Sequence, residues 1–252
     1  MSQANAMIVV PCYNEGLRLP KEQYREFAKR ANDYKFLFVD DGSQDNTYDI
    51  LDSLCREHPN QFEILKLERN SGKAEAVRHG FLRAMRSEAK FLAYWDADLA
   101  TPLDALPLFL DVFKERPGTE IVFGSRIKLL GHDIRRNELR HYLGRVFATC
   151  ASLVLNLGVY DTQCGAKMFR KTETLGEMFK DPFRSKWIFD VELIARFINL
   201  KKKAGHSSID STIYELPLLA WYDVAGSKLK PTDFLKALGE LVQIYRVYRL
   251  GG

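Results

Sequence analysis

Short runs of β-branched and aromatic residues alternate with helical stretches along the first half of the chain. The runs are Met7-Ile-Val-Val-Pro, Phe36-Leu-Phe-Val-Asp, Glu63-Ile-Leu-Lys-Leu, Phe91-Leu-Ala-Tyr-Trp and Ile121-Val-Phe-Gly. Their hydrophobicity is nearly continuous rather than alternating, as it is in strands covered on both faces. Such strands separated by helices predict βαβ units, and so an α/β, doubly wound, mostly parallel central sheet with flanking helices. Helices are expected over about 20–32, 44–58, 73–88 and 103–115, several with a start signal such as Asp45/Asn46 or Thr101-Pro102. Ligands of open parallel sheets bind outside the carboxyl ends of the strands, so the loops Cys12–Gly16, Asp40–Asp45, Asn70–Lys73 and Asp96–Thr101 should converge on one edge. After about residue 125 the pattern predicts a basic helical segment through Leu157 and a strand over Ala166–Arg170. A helix over about 187–200, a strand over Ile213–Leu216 and a last helix over about 231–249 follow. No Ser/Gly-rich linker, repeat or low-complexity tract interrupts the sequence, so one domain spanning 1–252 is expected.

Composition narrows the class without changing that architecture. At 252 residues, 46% hydrophobic and 28% charged, the chain resembles ordinary globular proteins. A net charge of +4 is too weak for a nucleic-acid partner unless the cations cluster. The four cysteines, Cys12, Cys55, Cys150 and Cys164, form no CxxC pair and read as reduced, mostly buried thiols. No cationic stretch followed by an apolar one opens the chain, so a cytoplasmic location is expected. The longest uncharged run, Val146 to Tyr160, falls short of the roughly 20 apolar residues that span a bilayer.

Three strand ends carry polar residues suited to chemistry. Asp96-Ala97-Asp98 closes the fourth run, and in an extended segment residues two apart face one side, so both carboxylates can address one hard cation. The spacing fits a turn or helix-cap pair equally well. Asp40-Asp41-Gly42-Ser43 combines a residue suited to a tight turn with acids that accept from a base imide or a ribose hydroxyl; it also fits an ordinary strand-ending turn. Pro11-Cys-Tyr-Asn-Glu15 offers an aromatic for stacking and an acid for hydrogen bonding, a weak signal by itself. The chain contains no GxGxxG, no GxxxxGK[ST] and no GxSxG, which disfavours Rossmann dehydrogenases, P-loop NTPases and serine hydrolases.

In order and spacing, Pro11-Cys-Tyr-Asn-Glu15, Asp40-Asp-Gly-Ser43 with Asp45-Asn-Thr47, Asn70-Ser-Gly-Lys73, Asp96-Ala-Asp98 and Gly124-Ser-Arg126 resemble the motifs of family 2 glycosyltransferases of the GT-A fold. Asp161-Thr-Gln-Cys-Gly-Ala-Lys167, Trp187-Ile-Phe-Asp-Val-Glu192 and Gly226-Ser-Lys228 resemble the polyprenyl-phosphate sugar transferases, nearest the dolichyl-phosphate glucosyl branch and next the mannosyl branch. The resemblance implies an inverting transfer of a hexose, glucose favoured, from a nucleoside-diphosphate sugar to a polyprenyl or dolichyl phosphate at the membrane surface. UDP-glucose is the donor implied. Residues 1–125 would be the nucleotide-sugar half and 126–252 the acceptor half. Pro11, Tyr13, Glu15 and Asp41 would hold the nucleoside, with Lys73 nearby and Ala97 between the acids. Asp96 and Asp98 would carry Mg²⁺ or Mn²⁺. Mannosyl members often have a Gln where this chain has Ala100, so water or donor phosphate would complete the metal's shell. Lys228 would meet the leaving diphosphate and Lys167 would bind the acceptor, and Asp98, Asp190, Arg126 and Lys228 would be the catalytic residues. Asp190 stands where hydroxyl-accepting relatives carry a base; orientation, cation pairing or helix capping are alternatives.

The acceptor so implied gives meaning to a basic cluster. Arg126, Lys128, Arg135, Arg136, Arg140 and Arg145 face only Asp133 and Glu138 within residues 126–145. Guanidinium forks suit a lipid monophosphate, and Arg126, Arg135 and Arg136 are the candidates; a solvated basic helix face is the alternative. The uncharged run that follows fits a helix lying on a membrane or one packed in the core. Other classes remain: a family 2 transferase acting on a glycan hydroxyl, a sugar nucleotidyltransferase, or an inactive binding module. A nucleotidyltransferase would carry a Gly-rich basic loop after its first strand, which Pro11–Gly16 is not.

Overall fold

The computed structural model describes residues 5–135, 138–206, 209–224 and 231–248. In chain order the elements are β1 (Ala6–Cys12), α1 (Lys21–Arg30), β2 (Tyr34–Asp40), α2 (Thr47–Glu57), β3 (Phe62–Lys66), α3 (Lys73–Ala84) and β4 (Phe91–Trp95). A short 3₁₀ turn then leads into α4 (Leu106–Glu115) and β5 (Ile121–Ser125). They are followed by β6 (Asp133–Arg135), α5 (Glu138–Leu155), β7 (Ala166–Arg170), α6 (Glu173–Lys180), α7 (Phe189–Lys203), β8 (Ile213–Pro217), β9 (Ala220–Tyr222) and α8 (Pro231–Tyr248).

These elements group into two compact units, Met1–Leu106 with Gly165–Pro182 and Pro107–Cys164 with Phe183–Gly252. The chain therefore leaves the first unit, builds part of the second and returns, instead of crossing one boundary near residue 125.

In the first unit the strands run in the order β3-β2-β1-β4-β7. The β1–β2, β1–β4 and β2–β3 pairs are parallel, and β7 joins β4 antiparallel with Tyr94 opposite Lys167. Ile8, Val9, Val10, Phe38 and Val39 are completely buried, which is why these runs carry no polar alternation. Helix α3 lies so close to the sheet that a Cβ on Gly80 would stand 2.3 Å from a Val9 methyl. Tyr24 of α1 packs edge to face on Phe36 and Phe38 of β2, and these two rings meet Phe62 of β3 in the same way.

In the second unit β5 and β8 pair in parallel, and so do β6 and β9. The predicted helical segment from 126 through 157 requires correction, because Asp133–Arg135 is a strand and the helix starts only at Glu138. Strand β9 and helix α6 are additions to the elements predicted. Helix α5 packs one face of its uncharged run in the core and leaves the other exposed. Phe147, Ala148, Ala151 and Leu155 are buried, while Tyr142, Val146 and Leu153 are exposed on the opposite side. Cys12 and Cys164 are buried and Cys55 and Cys150 half-buried, and all four are thiols outside any disulfide; burial pushes the Cys55 thiol up to about 11. Among the described residues no helix is long and apolar enough to cross a membrane.

Candidate active site

The four loops at the carboxyl ends of the first unit's parallel strands are tied to one another. Asn14, held at φ 50°, donates its backbone N–H to Ser43 Oγ at 3.0 Å and accepts at Oδ1 from the Gln44 N–H at 2.9 Å. The Glu15 N–H reaches Thr47 Oγ1 at 2.7 Å, and the Gly16 N–H reaches Asp45 Oδ2 at 3.1 Å. Asp45 thereby latches the loop and also serves the start of α2, where its Oδ1 accepts the Thr47 N–H at 3.0 Å. Pro11 and Tyr13 are half-buried on this rim, and Glu15 is buried.

Asp41 is spent on the backbone. Its two carboxylate oxygens accept the N–H groups of Ser71 and Gly72, each at 2.8 Å, so it fixes the entry to α3. Burial pushes its carboxyl up, against the lowering effect of those two amides. Gly42 at φ +66° passes so close to Arg69 and Asn70 that a Cβ would stand 2.6–2.8 Å from their backbone. Neighbouring Asp40 accepts from the Ser43 N–H through Oδ1, and its other oxygen is buried without a hydrogen-bond partner.

The acidic pair occupies the turn after β4. Leu99 adopts φ +52°, its N–H returning to the Asp96 carbonyl, and Asp98 Oδ1 accepts the Ala100 N–H at 3.1 Å. Trp95 Nε1 holds the Thr101 carbonyl at 2.7 Å, and the Tyr24 hydroxyl holds that of Ala97 at 3.3 Å. A left-handed conformation at a branched residue costs of order 1 kcal/mol, and these bonds maintain it. Each acid faces a cation: Lys73 Nζ lies 2.5 Å from Asp96 Oδ1 and Arg18 3.4 Å from Asp98 Oδ2. Burial, then the adjacent Asp96 charge, pushes the Asp98 carboxyl up. Gly165 completes the cradle, because a Cβ there would stand 1.9 Å from Asp96 Oδ2.

Two hard carboxylates crowded together suit a divalent cation such as Mg²⁺ or Mn²⁺. Among the described residues no third acid, His or Cys joins them, so a cation held there would take its remaining ligands from phosphate or water.

In the second unit Arg126 forms a fork with Asp161, at 2.6 and 2.8 Å, and its N–H reaches the same carboxylate at 3.1 Å. Its guanidinium lies 5.3 Å from the Trp221 ring centre. Glu215 stations Asp161 by accepting the N–H groups of Tyr160 at 2.8 Å and Asp161 at 2.6 Å, and burial pushes its carboxyl up. Arg126 is thus built inward. Arg135 instead projects outward, paired with Asp133 at 2.9 and 3.0 Å. Arg136 and Lys228 lie outside the described residues. Asp190 is buried in the first turn of α7. Two carboxylates fix the segment before it. Glu192 accepts the N–H groups of Arg184 and Ser185, and Glu240 those of Trp187 and Ile188 together with the Ser185 hydroxyl. Lys167, in the first unit, is completely buried with Nζ 5.3 Å from the Tyr94 ring centre.

Arg18, Gly165 and Glu215 were absent from the candidates drawn from sequence, and Asp161 carried no role there. Asp161 and Gly165 do fall within the Asp161–Lys167 motif, which was the available signal.

Residues 7–175 match the family model described as "Glycosyl transferase family 2". The chain belongs to that family. Among relatives of this transferase, the dolichyl-phosphate beta-glucosyltransferase of Dictyostelium discoideum is 31% identical over 258 residues, covering 97% of this chain and 75% of the relative. The human protein of the same name is 32% identical over 267 residues, covering 97% and 76%. Mannosyl-3-phosphoglycerate synthase from Rubrobacter xylanophilus has a similar structure, with a TM-score of 0.66 at 15% identity over 96% of this chain and 74% of its own. The mannosyltransferase PcManGT of Pyrobaculum calidifontis, in complex with GDP-Man and Mn²⁺, matches with a TM-score of 0.62 at 14% identity over all of this chain and 65% of its own. The transferase described here has the GT-A fold that the motifs led one to expect.

Proposed function

We propose that this family 2 transferase moves glucose from UDP-glucose to a polyprenyl phosphate, of which dolichyl phosphate is one, at a membrane surface. The observation that carries the reading is near-full-length identity of about 30% to dolichyl-phosphate beta-glucosyltransferases, in a chain whose β4 ends on the Asp96–Asp98 pair. In the first unit Pro11, Tyr13, Glu15 and Asp41 would bind the nucleoside, Asp41 by shaping the loop at 71–72. Asp96 and Asp98, spaced by Ala97, would hold the divalent cation, which when bound supplies positive charge to the leaving diphosphate. Lys73 and Lys228 would face the same diphosphate, and Lys167 would support the acceptor side. In the second unit Arg126, Arg135 and Arg136 would bind the acceptor phosphate, and Asp190 would orient it.

A phosphate oxygen of the acceptor attacks the anomeric carbon. The new C–O bond forms as the bond to the diphosphate breaks, with inversion, and UDP leaves. The acceptor is already anionic near neutral pH, so no strong base is required of Asp190. Exposed Tyr142, Val146 and Leu153 on α5, beside the basic segment before it, support contact with the membrane surface that holds such an acceptor.

The deciding experiment presents labelled UDP-glucose, GDP-mannose and UDP-N-acetylglucosamine with dolichyl or undecaprenyl phosphate and counts label in the organic phase. UDP-glucose is expected to give the fastest transfer. Faster transfer from GDP-mannose would overturn the donor assignment, and label found only on a soluble glycan would overturn the acceptor.

The acceptor residues have their own test. With Arg135 and Arg136 both changed to Ala, the apparent KM for lipid phosphate should rise about tenfold while UDP-glucose hydrolysis without acceptor stays unchanged. Binding to anionic vesicles should weaken as well, and it should fall with ionic strength in the wild type. Unchanged acceptor kinetics together with salt-insensitive vesicle binding would remove both arginines from the acceptor site.

A further inference from the structure

The loop between β1 and α1 holds a cation that joins two acids of the donor site. Arg18 donates from Nε to Glu15 Oε2 at 2.9 Å and from a terminal nitrogen to Asp98 Oδ2 at 3.4 Å. Glu15 is in turn anchored through its own N–H to Thr47, at the start of α2. Lys73, at the first position of α3, lies against Asp96. Cations from two different loops therefore stand against the two carboxylates of one pair.

Stability gives little reason for this arrangement. The Arg18 side chain keeps 25% and the Asp98 side chain 22% of its exposure, and in a part-buried ion pair the cost of removing the charges from water offsets much of their attraction. Ligand chemistry gives a better one. A divalent cation on the carboxylates would face the phosphates of the donor, and so would a guanidinium beside it, whose planar fork matches two phosphate oxygens. Asp98 meets Arg18 through Oδ2, while Oδ1 accepts the Ala100 N–H, so a metal ion held at Oδ2 would compete with the arginine for that atom.

We propose that Arg18 is a binding residue for the donor's diphosphate, held in place by Glu15, and that Arg18 and the divalent cation are alternative counter-ions of Asp98. Glu15 acts here as a positioning residue through Arg18. The inference rests on the donor site proposed above and adds a residue that neither the motifs nor the comparisons assign.

The test is Arg18→Met in the full chain, with binding of Mn²⁺ alone, of UDP with Mn²⁺, and of uridine measured by calorimetry and by the Mn²⁺ electron-spin signal. UDP affinity is expected to fall tenfold to about a hundredfold, as for loss of a charged hydrogen-bond pair, with uridine affinity unchanged. Mn²⁺ alone should bind severalfold more tightly, because a competing cation has gone. Arg18→Lys should restore near-normal Mn²⁺ affinity and part of the UDP affinity. A damaged fold would weaken all three ligands together, so opposite shifts are diagnostic. Unchanged UDP affinity, or Mn²⁺ affinity that falls with it, overturns the proposal. If the wild type binds GDP and not UDP, the same comparison is made with GDP and guanosine. A wild type that binds neither diphosphate removes the donor site and this inference together, whereas a wild type that binds one and an indifferent Arg18→Met remove this inference alone.

Discussion

Replacing Asp98 with Asn is expected to lower sugar transfer by about a thousandfold or more while leaving the melting temperature at or slightly above that of the wild type. Asn keeps the size of the side chain and an oxygen for the Ala100 N–H, but it removes a charge from the pair that would hold the cation. Charge compensation at a transferring diphosphate is worth several kcal/mol, and about 1.4 kcal/mol is a factor of ten in rate. Stability should not suffer, because burial and the Asp96 charge already push the Asp98 carboxyl up. A group so shifted favours the fold fully below its ordinary carboxyl range and loses that contribution as pH rises through its raised value, so a neutral replacement spares the protein that loss at neutral pH. Excess EDTA should reproduce the defect reversibly. Full activity in EDTA, or an Asp98→Asn enzyme within tenfold of wild type, would dissociate the pair from catalysis.

Gly165→Ala should be the second severe lesion, although alanine brings no functional group of its own. Its methyl would stand 1.9 Å from Asp96 Oδ2 and 2.2 Å from Cγ, distances that only a moved carboxylate can relieve. The Asp96 N–H is bonded to the Gly165 carbonyl at 2.9 Å, so the backbone cannot simply retreat. An overpacked site of this kind costs about 1–3 kcal/mol in stability. Displacing a positioned group by an ångström costs about a hundredfold in rate, and kcat/KM should fall accordingly. Kinetics and thermal unfolding measured on the same preparation check this: kcat/KM within a few-fold of wild type would mean that the Asp96 carboxylate does not have to stand where the glycine leaves room for it.

Strands β1, β2 and β4 of the first unit were legible because they are almost wholly buried and so read as nearly unbroken apolar runs. Met7–Pro11, Phe36–Asp40 and Phe91–Trp95 all lie within the strands observed. What stayed illegible depends on partners distant in sequence. Strands β6 and β9, three residues each, exist because Asp133, Ile134 and Arg135 meet Ala220, Trp221 and Tyr222, and no local pattern announces a pairing across that separation. Helix α6 is short and carries Gly176 in its interior, which masks a cap formed by Thr172 on the Leu175 N–H. In the site, sequence located the acids and basic residues but not their commitments. Asp41 serves two backbone amides and Arg126 serves Asp161, neither of which spacing along the chain reveals. Gly165 was hidden for a related reason, since its contribution is the room it leaves for Asp96, just past the end of another strand.

The return of the chain to its first unit after residue 164 bears on how the protein is made. During synthesis β1 to β4 emerge together, yet one side of β4 receives β7 only after nearly half of the second unit has been translated. Until then Phe91–Trp95, among the most apolar segments of the sequence, presents an open strand edge, the feature through which nascent chains pair with one another. Expression of residues 1–125 as a separate piece would make that exposure permanent, and insoluble material rather than a working nucleotide-binding half should be the product.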